Sequence, residues 1–299
     1  MKLIVLLVAI LTKKINIAPS WLYDDKWLIH YFDKLKTFSF FDDGSRPLQM
    51  LLVCVPIVTL VGLVYWFLGG FLFGLIGFFI AVLVVQFAFG ARDLTDELGE
   101  YLLFWRANNK DHYRQTAKKY FSLGSWGVSD EAMHKAVFGE VLQRSCYYLF
   151  TPLFWFWVFG PIGAVACGLC SLISRQRHQD GQDSGKPRAT ELALFAQNLQ
   201  ETIAWLPARM MVLSFSMTGH FSNVIKPALE TFTSVESTTY DVLNDCAADA
   251  LSLSPLVEDK DQMREQADTQ MIGLQSLLNR TLGLWLVAIA MFTIFGFNT

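Results

Sequence analysis

Apolar residues in this chain come in long blocks, not in alternation. Across residues 51–90 only Gln86 is strongly polar. That run is too long for one bilayer crossing and divides near Gly69-Gly70. It predicts two helices of ~20 residues, about the length that ~30 Å of hydrocarbon requires. Residues 147–173 carry no charge, and neither do residues 281–297. Membrane segments are therefore expected at about 50–69, 70–90, 147–174 and 280–298. The N-terminal block, "MKLIVLLVAILTKK", has an apolar stretch that is short for a span. No small-residue cleavage site follows it, as a removed leader would need. It is read as an uncleaved first membrane segment over 1–14, with lysine stems reaching back to the interface. A half-inserted anchor is the other reading.

The polar stretches between these blocks keep a helical period. Leu94, Leu98, Tyr101, Leu102 and Trp105 recur three or four residues apart. Asn108-Asn109 then marks a turn into a second helix, and Ser129 is placed to cap a third. Residues 176–189, "QRHQDGQDSGKPRA", lack large apolar side chains and predict a linker over 175–189. Residues 190–279 are again amphipathic. Period-two alternation is nowhere sustained. The expected fold is all-α: a polytopic membrane helix bundle with amphipathic, interfacial helices and helical extramembrane regions. It forms a single membrane domain over 1–299, with a polar helical region at 91–146.

Charge sets an expected orientation. The stretches 13–48 and 91–146 hold six and eight Lys or Arg and flank one hairpin, so both are placed in the cytoplasm. Five spans then put the N-terminus outside and the C-terminus inside. Composition agrees with lipid: 53% of residues are hydrophobic and only 17% charged, against about a quarter charged in soluble domains. A net charge of −3, with no basic patch, argues against nucleic acid as a partner.

Familiar chemistry is sparse. The five cysteines imply no disulfide framework, and Cys167 and Cys170 in "CGLC" read as small packing residues in an apolar helix. The five histidines form no HxxxH or HxxH pair, so no metal site is expected. There is no phosphate loop, no dinucleotide turn and no nucleophile elbow. No cofactor is indicated, and no catalytic residue is assigned. The sharpest feature is "IAWLPARMM" at 203–211. Pro207 and Arg209 stand in an apolar stretch beside Trp205. A cation there faces a cavity, a partner or the membrane interface. Trp205 and Pro207 suit a membrane boundary, and the residues alone leave pocket and interface both open.

Several patterns together resemble the AmpE family of inner-membrane proteins and, behind it, the related CobD/CbiB cobinamide-phosphate synthases. "YLLFWRANNKD" at 101–111 is similar to the AmpE Tyr-Leu, Arg, Asp pattern. "YLFTPLFWFWVFGPIGAV" at 148–165 resembles the family's Pro-Leu-Phe-Trp helix, the most specific match. "IAWLPARM" at 203–210 resembles the shared Trp-x-Pro-x-Arg motif, and "STTYDVL" at 237–243 is similar to the AmpE Ser-x-x-Tyr-x-Val-Leu. The order holds over nearly the whole chain.

Departures from the synthase branch bear on function. Where the synthases carry a run resembling "ENTSD", this chain has Gln143, Arg144, Ser145, Cys146 and Tyr147. Their paired aspartates before the Trp-Pro-Arg motif become Gln200-Glu201. ATP-dependent ligation needs carboxylates to hold metal and phosphates, so synthase chemistry is not expected. The resemblance implies a regulatory or signalling role linked to β-lactamase induction and muropeptide recycling. Its partners would be the lipid bilayer and either a cytoplasmic muropeptide-recycling amidase or another cell-wall or β-lactamase regulatory protein. It also implies a polar pocket with Arg209 and Glu201, joined by Arg106, Tyr101, Asp111 and Tyr240. Arg209 would take an anionic phosphate or carboxylate through its planar fork. The rival reading is a membrane-embedded transferase or ligase on a phosphorylated or lipid-linked substrate, which predicts at least three carboxylates around Arg209. A transporter would want internal repeats and broken helices, at which only Gln86, Pro152 and Pro161 hint.

Overall fold

The computed structural model describes residues 2–15, 30–31, 34, 45–68, 74–90, 94–121, 129–180, 187–219, 224–226, 229–230, 238–253 and 260–295, the side chains of 175–190 and 260–261 excepted. All its regular elements are helices: α1 (Lys2–Lys14), α2 (Arg46–Leu68), α3 (Leu75–Phe89), α4 (Leu94–Arg106), α5 (Lys110–Phe121), α6 (Asp130–Ser145), a π-helical turn (Cys146–Phe150), α7 (Thr151–Phe159), α8 (Pro161–Asp180), α9 (Pro187–Thr218), α10 (Thr239–Ala250) and α11 (Lys260–Ile294). No strand occurs among the described residues. The all-α reading holds. Three helical stretches are long and apolar enough to cross a membrane, Arg46–Phe67, Leu75–Arg106, which takes in α3 and α4, and Gln262–Ile294. Leu60, Trp66 and Phe67 of α2 and Val287, Met291 and Ile294 of α11 point outward, as lipid-facing side chains do.

The chain forms two compact units that interleave in sequence. One holds Met1–Ala91 with Tyr147–Ile203, and the other holds Arg92–Cys146 with Ala204–Thr299. In the first, α8 packs on α2, α3 and α7, and α1 packs on α3. A close approach makes this possible: a side chain at Gly168 would meet the Phe87 ring at 2.7 Å and the Ala88 Cα at 3.1 Å. Gln86, the one strongly polar residue of its apolar block, is buried and donates to the Ala9 carbonyl at 2.8 Å and to Thr12 Oγ1. Lys13 Nζ donates to the Phe89 carbonyl at 2.9 Å, and Lys2 Nζ to the Trp157 carbonyl at 3.2 Å. Polar side chains thus seat α1 against otherwise apolar neighbours. At 13 residues α1 is about 20 Å long.

The charge-free stretch expected as one segment over 147–174 is two helices. Gly160, at φ 67°, turns the chain out of α7, and Pro161 opens α8. A left-handed φ favours glycine, and proline is suited to a first helical turn. Of the expected linker, 175–180 complete α8 and 187–189 open α9, while 181–186 lie outside the described residues. The division expected at Gly69-Gly70 lies outside them too.

In the second unit α4, α5 and α6 pack together, with α10 and α11 against α6. The expected core stripe of α4 is present: Leu98, Tyr101, Leu102 and Trp105 are buried. The turn at Asn108 is made in the left-handed region, at φ 54°. Ser129 caps α6, its hydroxyl accepting from the Ala132 amide at 3.2 Å. Beside the cap, Asp130 pairs with Arg114 at 2.7 Å and Lys110 at 3.5 Å. Burial pushes the Asp130 carboxyl up, but Arg114, Tyr113 and Lys110 outweigh that and hold it below the usual aspartate range.

Candidate functional site

The helix α9 runs through Pro207 without interruption. A proline has no N–H, so the carbonyl four residues earlier, that of Ile203, loses its helical partner. The Trp155 indole supplies the missing donor, with Nε1 3.1 Å from the Ile203 oxygen. The proline therefore leaves no unsatisfied acceptor there. Two residues on, Arg209 is fully buried. Its guanidinium lies over the Trp205 indole at 4.1 Å from the ring centroid, and Nη1 donates to the Trp205 carbonyl at 3.3 Å. Residues 205 and 209 are one turn apart, so their side chains share a face. The arrangement places a cation against an aromatic face in a desolvated setting, where such contacts are strongest.

Glu201 and Gln200 stand one turn before Trp205 and serve their own unit. Glu201 accepts a hydrogen bond from the Tyr147 hydroxyl. Gln200 is buried, accepts from Ser174 Oγ at 2.8 Å, and donates to Ser171 Oγ at 3.2 Å. Arg144, another position where the synthases differ, pairs with Glu140 at 2.8 Å and with the buried Glu97 at 3.3 Å.

The other expected site residues all belong to the second unit, in different settings. Tyr101 lies in an aromatic core, stacked on Trp105 at 6.0 Å and edge-on to Tyr113 and Phe121. Its buried hydroxyl has no hydrogen-bond partner among the described residues. Arg106 is exposed and pairs with Asp268 of α11 at 2.7 Å. Asp111 is exposed in the first turn of α5. Tyr240 lines a cavity of about 590 Å³ between α6, α10 and α11.

That cavity is built from local signals. Thr238 caps α10 by accepting from the Asp241 amide at 3.2 Å, and its hydroxyl donates to the Asp241 carboxylate at 2.7 Å. The cap sets the start of α10 and so points Tyr240 and Asn244, one turn apart, toward α6. Gly139 of α6 receives them, since a side chain there would collide with the Tyr240 hydroxyl and the Asn244 amide. Phe138, Ala248 and Leu253 supply apolar wall, and Asp245 and Gln270 supply polar groups.

His134 also lines the cavity. It is 1% exposed, neither ring nitrogen has a hydrogen-bond partner among the described residues, and its ring packs on Trp105 at 5.5 Å. Burial drives its pKa down to about 4 despite the nearby Asp268, so the ring is neutral at pH 7. His134, Asn244, Asp245 and Trp155 were not among the expected site residues. His134 was legible by phase, since it shares the buried face of α6 with Val137, Val141 and Ser145. Asn244 was legible as the residue one turn beyond Tyr240. The partnership of Trp155 with Ile203 spans 48 positions and leaves no local trace.

Among the described residues no group of three or more His, Cys, Asp or Glu side chains is placed to hold a metal ion. No curated protein and no solved structure matches the chain. A family model does: the one described as regulatory signalling modulator protein AmpE matches residues 1–298. With three helices able to cross a bilayer and that match over the whole chain, this membrane protein belongs to the AmpE family of regulatory signalling modulators.

Proposed function

We propose that the protein acts in the bacterial inner membrane as a multi-pass regulator that links cell-wall muropeptide recycling to β-lactamase induction, without catalysing a reaction itself. The observation that carries this reading is the family match over residues 1–298. The positions where cobinamide-phosphate synthases carry their acids and amides support it. Here Arg144 is engaged with Glu97 and Glu140, and Gln200 with Ser171 and Ser174. These side chains tie helices together and offer no metal-binding carboxylates.

In this reading Arg209 is the charged centre of the Trp205-Pro207-Arg209 motif and answers to an anionic phosphate or carboxylate group. Its signal passes to a partner such as the recycling amidase. The test measures β-lactamase activity after β-lactam exposure in a deletion strain complemented with wild-type protein or with Arg209→Ala, at matched membrane levels. Deletion is expected to change induction, and Arg209→Ala is expected to fail to restore it. Unchanged induction in the deletion strain overturns the regulatory reading. Full complementation by Arg209→Ala limits Arg209 to packing on Trp205.

A further inference from the structure

We propose that Cys54 and Cys170 are a redox pair, which a lipid-soluble hydroperoxide closes to a disulfide joining α2 to α8. This goes beyond the regulatory reading and does not depend on it. Both residues belong to the first unit, and both thiols are free.

The sequence draws the eye to Cys167 and Cys170, but packing gives Cys170 a different neighbour. A side chain at Gly62 of α2 would meet Ile162 Cδ1, near the start of α8, at 3.5 Å. Eight residues back along α2 stands Cys54, and eight residues on along α8 stands Cys170. Antiparallel helices in that register bring the two thiols to one level. They meet there: the Cys170 thiol donates a hydrogen bond to the Cys54 sulfur. Cys54 also packs against the apolar cluster in which Cys170 is buried with Met50, Val53 and Ile173. Sulfurs already in contact need only a small shift to reach the bond length of about 2 Å.

The surroundings suit a reversible step. Gly168, half a turn from Cys170, abuts Phe87 and Ala88 where α3 ends and where Lys13 donates to the Phe89 carbonyl. Ser171, Ser174 and Gln200 form their hydrogen bonds just beyond Cys170. The pair therefore stands at a polar end of the bundle, within reach of an amphiphilic oxidant. Cys54 is half-buried and Cys170 buried, so Cys54 is the sulfur that is attacked first. It takes the terminal oxygen of the hydroperoxide, the O–O bond breaks, and an alcohol leaves, with a sulfenic acid at Cys54. The Cys170 sulfur then attacks the Cys54 sulfur, the S–O bond breaks, and water leaves with the thiol proton. In sum, two thiols and one hydroperoxide give a disulfide, an alcohol and water, with two electrons passing from sulfur to oxygen. A dithiol reverses the step by exchange.

The test uses full-length protein in nanodiscs, treated with cumene hydroperoxide. Remaining thiols are then blocked with N-ethylmaleimide in denaturant, and unreduced peptides are mapped by mass spectrometry. The wild type is expected to fall from five free thiols to three, with a peptide joining positions 54 and 170. Dithiothreitol should restore all five. Cys167→Ala should still form the link, whereas Cys54→Ala and Cys170→Ala should each form no disulfide. A link between Cys167 and Cys170, a link between two copies of the chain, or oxidation without any link would each overturn the proposal. The wild-type map decides this even where a variant fails to fold.

Discussion

The two units hold themselves together by different means. In the first, the described residues show one side-chain ion pair, Arg46 with Glu191. Helices there approach closely at Gly168, and single polar residues such as Gln86 and Gln200 bond to backbone or hydroxyl groups. In the second, ion pairs join Arg106 to Asp268, Arg114 and Lys110 to Asp130, and Arg144 to Glu97. They surround an aromatic core and a cavity. The lesson is one of solvent, and it holds stretch by stretch, since the apolar end of α11 in the second unit also presents lipid-facing side chains. Where apolar surface faces lipid, hydrophobic burial gives little drive for helix association, so close packing and hydrogen bonds must supply it. Where surface faces water, a core can form by burial and leave room for a site.

The comparison breaks most sharply at the glycines. Gly168→Val forces a branched side chain into the Phe87 ring, and Gly139→Val into Tyr240 and Asn244. Each should cost about 3 kcal/mol or more, since overpacking commonly costs 1–3. Limited proteolysis should show each lesion confined to its own unit, and a lesion that spreads to both would erase the distinction.

Acid should act on the second unit first. His134 titrates at about 4 in the fold against about 6.5 unfolded, so between those values the unfolded chain binds more protons. Stability is therefore full above about pH 7 and declines as pH falls, by about 3 kcal/mol at pH 4. The ring packs on Trp105 of α4, and the Asp268 carboxylate of α11 acts on it electrostatically. His134→Leu should flatten this dependence in unfolding measured from pH 7 to 4.

Trp155→Phe removes the donor to the Ile203 carbonyl and should cost about 1–3 kcal/mol, the penalty for a buried acceptor left unpaired. Pro207→Ala restores a backbone N–H and should remove most of that penalty, so a double-mutant cycle should show strong coupling. Additive effects would mean that the two residues do not share the acceptor. The smallest change is expected at the surface. Arg106→Ala breaks an exposed pair with Asp268 and should cost under about 1 kcal/mol, falling further in high salt.

Much of the architecture could be read along the chain because helical period and caps are local. The stripe from Leu98 to Trp105, the turn at Asn108 and the Ser129 cap all stand where residue spacing puts them. The site was less legible. Arg209 was visible as an anomaly, but its burial on Trp205 depends on what packs around α9. Arg106, Tyr101 and Asp111 carry the right chemistry, yet helical phase sends Tyr101 into the core and the other two to the surface. Pro207 suited a membrane boundary, and the donor that serves the carbonyl freed where α9 continues through it lies at Trp155, far away in sequence. The interleaving of the units is likewise set by long-range packing, which periodicity does not encode.

The length of α11 has a mechanical consequence. Its 35 residues make a rod of about 52 Å, while a bilayer core takes up about 30 Å. Its apolar end is tied to α9 through Trp285 and Ser214, and its polar end carries Asp268, paired with Arg106 of α4. A tilt of about 10° in the embedded part would swing a projecting 20 Å by about 3–4 Å at its tip. That is enough to part an ion pair, so one rigid lever could report a change in the bilayer to the water-facing end of its own unit.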